Sequence, residues 1–253
     1  MKSENADISM FFETIRSNSE SNSKAETFTG YYLESVKAVS NMLKESIFVI
    51  DFQQQKFRFV SDKGIFLCGR TSDEVLTLGF KFYREIVHPE DFPLIAKIHQ
   101  IIFRYFSCHD KTIRDLDCVV FNYRIRSDRK YLMVSHKMAP LFFDNCLGLA
   151  VSTVSDSMLE TSGKLYAYFN NGKDRREYSF ADRFWEKSPQ LTLTQLEKDI
   201  LLLAKQGKQE KEIANILCKQ IQTIKNQKVE LFDKLEVNNT QQAITFAANH
   251  FLI

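Results

Sequence analysis

With 253 residues, 44% apolar and 26% charged, the chain can build real cores and has an ordinary globular composition; at roughly 100–200 residues per domain, two domains are expected. A net charge of +2 excludes a polycation, and no apolar run reaches the roughly 18 residues that mark a membrane-spanning helix. The cysteines (Cys68, Cys108, Cys118, Cys146, Cys218) are odd in number and lack Cys-x-x-Cys spacing, against a disulfide framework or zinc site; with no basic-then-apolar leader pattern, a reducing cytoplasm is the expected location.

Residues 1–30 include the polar, Ser-rich run SNSESNSKAET and read as a flexible segment. A helical pattern follows from Tyr31 to Met42, with Leu33, Val36, Val39 and Leu43 at helical spacing. SIFVID (46–51) and KFRFVSD (56–62) read as adjacent antiparallel strands. In TSDEVL (71–76), Thr71 with Glu74 three residues later is a capping box for a short helix. HPEDFPLIAKIHQIIFRYF (88–106) reads as a helix, with Pro89 in its first turn and Leu94, Ile95, Ile98, Ile101 and Ile102 as its stripe. Three strands follow at 118–127, 130–142 and 146–156, with SDR and FDN where turns are needed. Two strands, short helices, a longer helix and a three-strand meander predict an α+β domain, an antiparallel sheet with helices on one side.

This order resembles a PAS domain over residues 35–157. CGRTSDEVL (68–76) is similar to that family's Gly-x-(Ser/Thr)-x-x-Glu-Leu segment, and HPED (88–91) to its His-Pro-(Glu/Asp)-Asp opening to the long helix. The resemblance implies a sensory or dimerisation domain over 31–157. Phe59, Leu67, Ile86, Ile98, Phe121 and Met133 are expected to line its core, where a small apolar ligand is the candidate occupant. His88 reads as part of a helix start rather than a metal or haem ligand. His99, His109 and His136 lack metal-site spacing, and no cofactor is expected. FLCGRTSD around Cys68 lacks the Asn-Cys-Arg-Phe-Leu-Gln block of flavin-binding PAS domains.

Residues 158–190 read as a hairpin and linker. Asn171-Gly172 is a turn signal between aromatic-rich runs, and the Tyr166, Tyr168, Phe169, Tyr178 and Phe180 rings call for a neighbour to pack against. WEKSPQ (185–190) reads as linker, breaking at Pro189.

From Leu193 the pattern is helical. Thr194 and Glu197 form a capping box, and Gly207 closes that helix. A short helix carries Ile213, Ala214 and Leu217 inward. A connection over Cys218–Gln220 leads into QTIKNQKVELFDKLEV, and Asn239 and Gln242 open a fourth helix. Two short helices about a tight turn suggest a helix-turn-helix. The run from Leu193, with Thr194, Glu197, Leu201, Gly207, Lys211, Glu212, Ile213, Ala214, Leu217, Thr223, Ile224, Lys225, Lys234, Leu235, Val237, Asn239 and Ala243, is similar to the LuxR/GerE-type DNA-binding domain without a gap. This predicts an all-α four-helix domain over 191–253. Gln220, Gln227, Glu236 and Thr240 stand where the family usually has Ser, His, Gly and often Arg. The domain holds no arginine, and Lys198, Lys205, Lys208, Lys211, Lys219, Lys225, Lys228 and Lys234 face Glu197, Asp199, Glu210, Glu212, Glu230, Asp233 and Glu236: a thin positive balance for a nucleic-acid binder.

At 100° per residue, Ile221, Ile224, Leu231 and Leu235 cluster on one side of the third helix. Gln222, Asn226, Val229 and Asp233 fall opposite, with Lys225 on a flank. In the family that outward face enters the major groove. The resemblance therefore implies that Lys225, Asn226 and Val229 read bases while Thr223, Gln227 and Lys228 lie near phosphates. It also implies a homodimer through the fourth helix (239–250), with Ala243, Ala247 and Ala248 as its small residues. No catalytic residues and no metal ligands are expected. The only tryptophan, Trp185, lies outside the N-terminal block, unlike the ligand-binding tryptophans of acyl-homoserine-lactone receptors, and the meander contradicts a receiver domain. The chain thus reads as a transcription regulator of double-stranded DNA. The alternative is an interaction adaptor whose degenerate helix-turn-helix no longer binds DNA.

Overall fold

The computed structural model describes residues 22–52, 54–107, 115–128, 130–143, 146–157, 159, 161–169, 172, 174–188 and 191–253. Expectations that fall on residues 1–21, on Cys108 and His109, or on Asn171 lie outside them. The chain divides into two compact units, residues 1–156 with 161–187, and residues 157–160 with 188–253.

The first unit contains α1 (Asn22–Met42), β1 (Ser46–Asp51), β2 (Lys56–Val60), a 3-10 turn (Ile65–Leu67), α2 (Ser72–Leu78), α3 (Lys81–Ile86) and α4 (Phe92–Ser107). Then follow β3 (Leu116–Ser127), β4 (Lys130–Phe143), β5 (Cys146–Asp156), β6 (Leu165–Phe169), β7 (Asp174–Ser179) and β8 (Phe184–Ser188). The eight strands form one sheet in the order β2-β1-β5-β4-β3-β6-β7-β8. β3, β4 and β5 are the expected meander, and β1 runs antiparallel to both β2 and β5. All six residues of β1 are buried. A strand with neighbours on both sides and cover on both faces is an unbroken apolar run, and Ile47-Phe48-Val49-Ile50 is one.

Alternation sorts the side chains by face. Phe48, Ile50, Phe121, Tyr123, Val134, Met138 and Val154 turn to the side of α2, α3 and α4 and enter the main core. Ile47, Val49 and Leu149 turn the other way, where Val36, Tyr32 and Leu33 of α1 meet them. α1 begins at Asn22 rather than near Tyr31, because the polar residues there include no proline to break the turn.

Thr71 caps α2 as expected: its Oγ1 accepts from Glu74 N–H at 3.3 Å, and Glu74 Oε2 accepts from Thr71 N–H at 2.8 Å. The HPED segment corrects the expected start of α4. His88 to Asp91 form a turn in which Phe92 N–H donates to the His88 carbonyl at 3.0 Å, so the helix begins at Phe92 and it is Pro93 that occupies the first turn. His88 accepts from Glu90 N–H through Nδ1 at 3.3 Å and meets the Tyr131 ring at 4.4 Å between centroids.

β6 pairs with β3, and β7 with β6. WEKSPQ is corrected likewise: Phe184–Ser188 is a strand, held because Trp185 stacks on Tyr105 of α4 at 4.6 Å and meets Tyr178 edge-on at 5.3 Å. Phe169, Phe180 and Trp185 of the extension thus pack on the long helix of their own unit, whereas Tyr166 and Tyr168 cluster with Cys118 and Val120.

Two imidazoles lie in the main core. His99 Nδ1 bonds the Ile95 carbonyl at 2.9 Å, and burial pushes its pKa down to about 4. His136 is fully buried against the Phe121 and Phe48 rings. Its Nδ1 lies 3.4 Å from the Tyr123 hydroxyl, and burial, then the nearby His99, drive its pKa well below the ordinary value.

Candidate nucleic-acid interface

The second unit holds α5 (Gln195–Lys205), α6 (Glu210–Ile216), α7 (Ile221–Leu235) and α8 (Thr240–Asn249). Thr194 Oγ1 accepts from Glu197 N–H at 3.2 Å, and Glu197 Oε2 accepts from Thr194 N–H at 2.6 Å, the expected capping box. The chain leaves α5 through Gly207 in the left-handed region (φ 82), where Lys208 N–H donates to the Leu203 carbonyl at 3.1 Å. α5, α6 and α7 pack through Ile200, Ile213, Ala214 and Ile224, and α5, α7 and α8 through Leu201, Leu231, Leu235, Ala243, Ile244 and Ala247. Lys234 of α7 reaches both oxygens of the buried Glu197 at 2.9 and 3.0 Å. Burial works against that carboxylate, but the Lys234 ammonium and the Thr194 cap outweigh it and hold its pKa below the ordinary value. One carboxylate thus both starts α5 and fixes α7 beside it.

α7 turns its apolar side inward as the spacing predicts, with one correction. Ile224, Leu231 and Leu235 are buried, whereas Ile221, at the first turn, is exposed. Outward, Thr223, Lys225, Asn226 and Val229 stand together on one exposed face, and Val229 keeps 59% of its surface accessible. Gln222 Nε2 donates to Asn226 Oδ1 at 2.9 Å along that face. Gln227 and Lys228 are half-buried: Gln227 donates to Glu230 at 2.9 Å, and Lys228 Nζ donates to Glu210 Oε1 at 2.7 Å. Thus four of the six predicted DNA-contacting side chains share the open face, while Gln227 and Lys228 are turned aside and engaged. Glu210 carries no periodicity or motif signal that would mark it in sequence.

A cleft of about 490 Å³ lies beside this face, lined by Lys208, Gln209, Glu210, Lys211, Ile221, Lys225 and Lys228 among others. Lys208 pairs with Glu212 at 3.3 Å. Among the described residues, Lys211 and Lys225 have no acidic partner within ion-pair distance. Within the cleft, positive charge available to a phosphate therefore concentrates on these two residues. The departures at the helix ends have visible effects: Gln220 makes no side-chain cap to α7, and Glu236 occupies a left-handed C-cap at φ 54, ψ 47.

The expected dimer helix is corrected in its details. Ala243 and Ala247 are fully buried in the unit's own core, because they lie on the face that meets Leu201 and Leu231; only Ala248 of the three is exposed.

The predicted pocket residues of the first unit also separate. Leu67, Ile86, Ile98 and Phe121 lie in the main core. Phe59 packs on the α1 side of the sheet, opposite Val49, after a register shift between Val49 and Ile50. Met133 neighbours the core residue Val134 and so turns to the other face. What stands on the inner face instead is His136 and Ser152, whose Nε2 and Oγ have no hydrogen-bond partner among the described residues.

Residues 191–247 match the GerE family, bacterial regulatory proteins of the luxR family. No curated protein matches the chain. Among solved structures, it is similar to a VqmA dimer of Vibrio cholerae without target DNA, at 17% identity over 87% of this chain and 88% of that one, TM-score 0.34. A VqmA–ligand–DNA complex from the same organism matches at 14% identity over 85% of each chain, TM-score 0.32. The N-terminal domain of a diguanylate cyclase with a PAS/PAC sensor from Marinobacter aquaeolei matches at 15% identity over 45% of this chain and 94% of that one, TM-score 0.36. Residues 191–247 of the C-terminal unit form a GerE-type domain of the luxR family of bacterial regulatory proteins, carried on a chain whose other unit is an α+β fold built on one eight-stranded sheet.

Proposed function

We propose that this chain is a sequence-specific transcription regulator that binds double-stranded DNA as a homodimer, with α7 in the major groove. The observation that carries the reading is the open face of α7, where Lys225, Asn226 and an exposed Val229 stand side by side on a helix whose other side is core. An asparagine can pair with adenine, a valine methyl can pack on thymine, and a lysine can reach guanine or phosphate. One helix of this length contacts too few base pairs to select a genomic site, and two half-sites remedy that. Thr223 lies where a backbone phosphate would pass. Residues 31–157 act as the sensory or dimerisation domain, 158–190 continue its sheet with β6, β7 and β8, and 191–253 act as the DNA-binding domain. His136 Nε2 and Ser152 Oγ, which lack a hydrogen-bond partner among the described residues of an aromatic interior, support a small ligand with hydrogen-bonding capacity there.

A second reading, an interaction adaptor that has lost DNA binding, is favoured by the ion pairs that occupy Lys208, Lys228 and Lys234. Selection of bound duplexes from a random pool by the full-length protein separates the two. Enrichment of a two-fold symmetric motif supports the regulator. Binding that stays absent down to low salt supports the adaptor.

A further inference from the structure

The ion pair between Lys228 and Glu210 holds a cation to one side of the proposed DNA face. Lys228 precedes Val229 and follows Lys225 by three residues on α7, yet its side chain is only 16% exposed. Its Nζ lies 2.7 Å from Glu210 Oε1 and 5.9 Å from the centre of the Phe232 ring. Glu210 is the first residue of α6, across the cleft that Lys211 and Lys225 also line. The hydrogen bond from Lys228, and then its charge and that of Lys225, hold the Glu210 carboxyl below its ordinary pKa, so Glu210 is ionised at neutral pH.

We propose that Glu210 withholds Lys228 from the DNA backbone and so sets the domain's affinity, a role that rests on the DNA-binding reading above. α6 and α7 are already joined by Ile213, Ala214 and Ile224. A partly exposed ion pair adds little to such a contact. Its larger consequence is electrostatic. A lysine neutralised by a carboxylate carries no condensed counterion to the complex and releases none, whereas a lysine on a phosphate contributes about 0.9 to the slope of log K against log salt. The pair therefore subtracts one phosphate contact from a domain with few cations. It leaves the chain more dependent on base contacts and less on non-specific attraction.

The test is a salt titration of full-length protein on one mixed-sequence duplex, comparing the parent, Glu210→Gln and the double variant Glu210→Gln/Lys228→Gln. Glu210→Gln should steepen the slope by about 0.9 and bind severalfold more tightly at low salt. The double variant replaces a neutral pair by a neutral pair and should return to the parent slope. Glu230→Gln makes the same charge change on α7 without freeing a lysine, and should leave the slope near the parent value. A double variant that falls below the parent by about one contact would show that Lys228 already sits on a phosphate, and overturn the proposal. Equal steepening by Glu230→Gln and Glu210→Gln would reduce the effect to bulk charge and overturn it as well. Should Glu210→Gln lose its helical signal, Glu210→Ala makes the same comparison. A parent that shows no salt-dependent binding fails the DNA reading itself, a result visible before any variant is made.

Discussion

Asp91 and Arg124 hold each other by three hydrogen bonds. Asp91 Oδ1 accepts from Arg124 Nη2 at 2.6 Å, and Oδ2 accepts from Nε at 3.0 Å and from the backbone N–H at 2.8 Å. Ser162 Oγ adds a fourth donor at 2.9 Å. The carboxylate thereby ties the start of α4 to β3 and to the segment that leads into β6. Asp91→Asn keeps the shape but loses the charge, and should destabilise the first unit by about 1–3 kcal/mol. Urea unfolding monitored by Trp185 fluorescence measures it, since that ring packs in the same unit. An unchanged midpoint would refute the role.

Asp91 also sets an acid limit. Burial disfavours its charge, but the Arg124 and Ser162 bonds prevail and its pKa lies below the ordinary carboxylate value. A depressed carboxyl contributes stability above its unfolded value, about 3.9, and loses it as pH falls through the folded one. The histidines act earlier. Burial depresses His99 to about 4 and His136 well below its ordinary value, while the unfolded chain takes up their protons near pH 6.5. Their contribution is complete above pH 6.5 and declines as pH falls toward 4. The urea midpoint of the first unit should therefore fall between pH 6.5 and 4, before Asp91 titrates. A midpoint flat across that window would contradict the neutral buried imidazoles.

Glu236 stands in a left-handed conformation that costs a non-glycine residue about 1 kcal/mol. Glu236→Gly should relieve that strain and raise the stability of the C-terminal unit by up to about 1 kcal/mol, less the entropy glycine adds to the unfolded chain. Thermal unfolding followed by helical dichroism is the measurement, and a lowered midpoint would show that Glu236 contributes more through its contacts than its backbone costs.

Val229→Ala should leave overall affinity nearly intact and relax preference at one A·T position by roughly 1 kcal/mol. Lys225→Gln should weaken every sequence alike and flatten the salt slope by about 0.9. Competition binding with selected and scrambled duplexes distinguishes these signatures. If both variants bind as the parent does, the open face of α7 does not read DNA.

Local signals carried far. The capping boxes at Thr71/Glu74 and Thr194/Glu197, the strand limits of β5 and the end of α5 at Gly207 are each written within a few residues, and each is found where the pattern puts it. Choices among distant partners were not legible. Nothing near Tyr166 names β3 as its neighbour, and nothing near Trp185 names Tyr105. A single register shift beside Val49 was enough to turn Phe59 out of the expected core. In the C-terminal unit the helical period placed Ile224 and Val229 correctly on opposite sides. It could not show that Lys228 ends at Glu210, because the two meet across a turn whose geometry, not its spacing, sets the distance.

The placement of β1 governs the order of assembly. β1 lies between β2 and β5, and its register with β5 runs from Ser46 opposite Val154 to Asp51 opposite Leu149. The chain must close a loop more than half as long as the first unit before this buried strand gains its second neighbour, and loop closure of that kind slows folding. Among the described contacts of the C-terminal unit, helices near in sequence pack on one another. That unit therefore gains its structure from short-range encounters and is expected to refold first, while the sheet waits on a late, distant pairing.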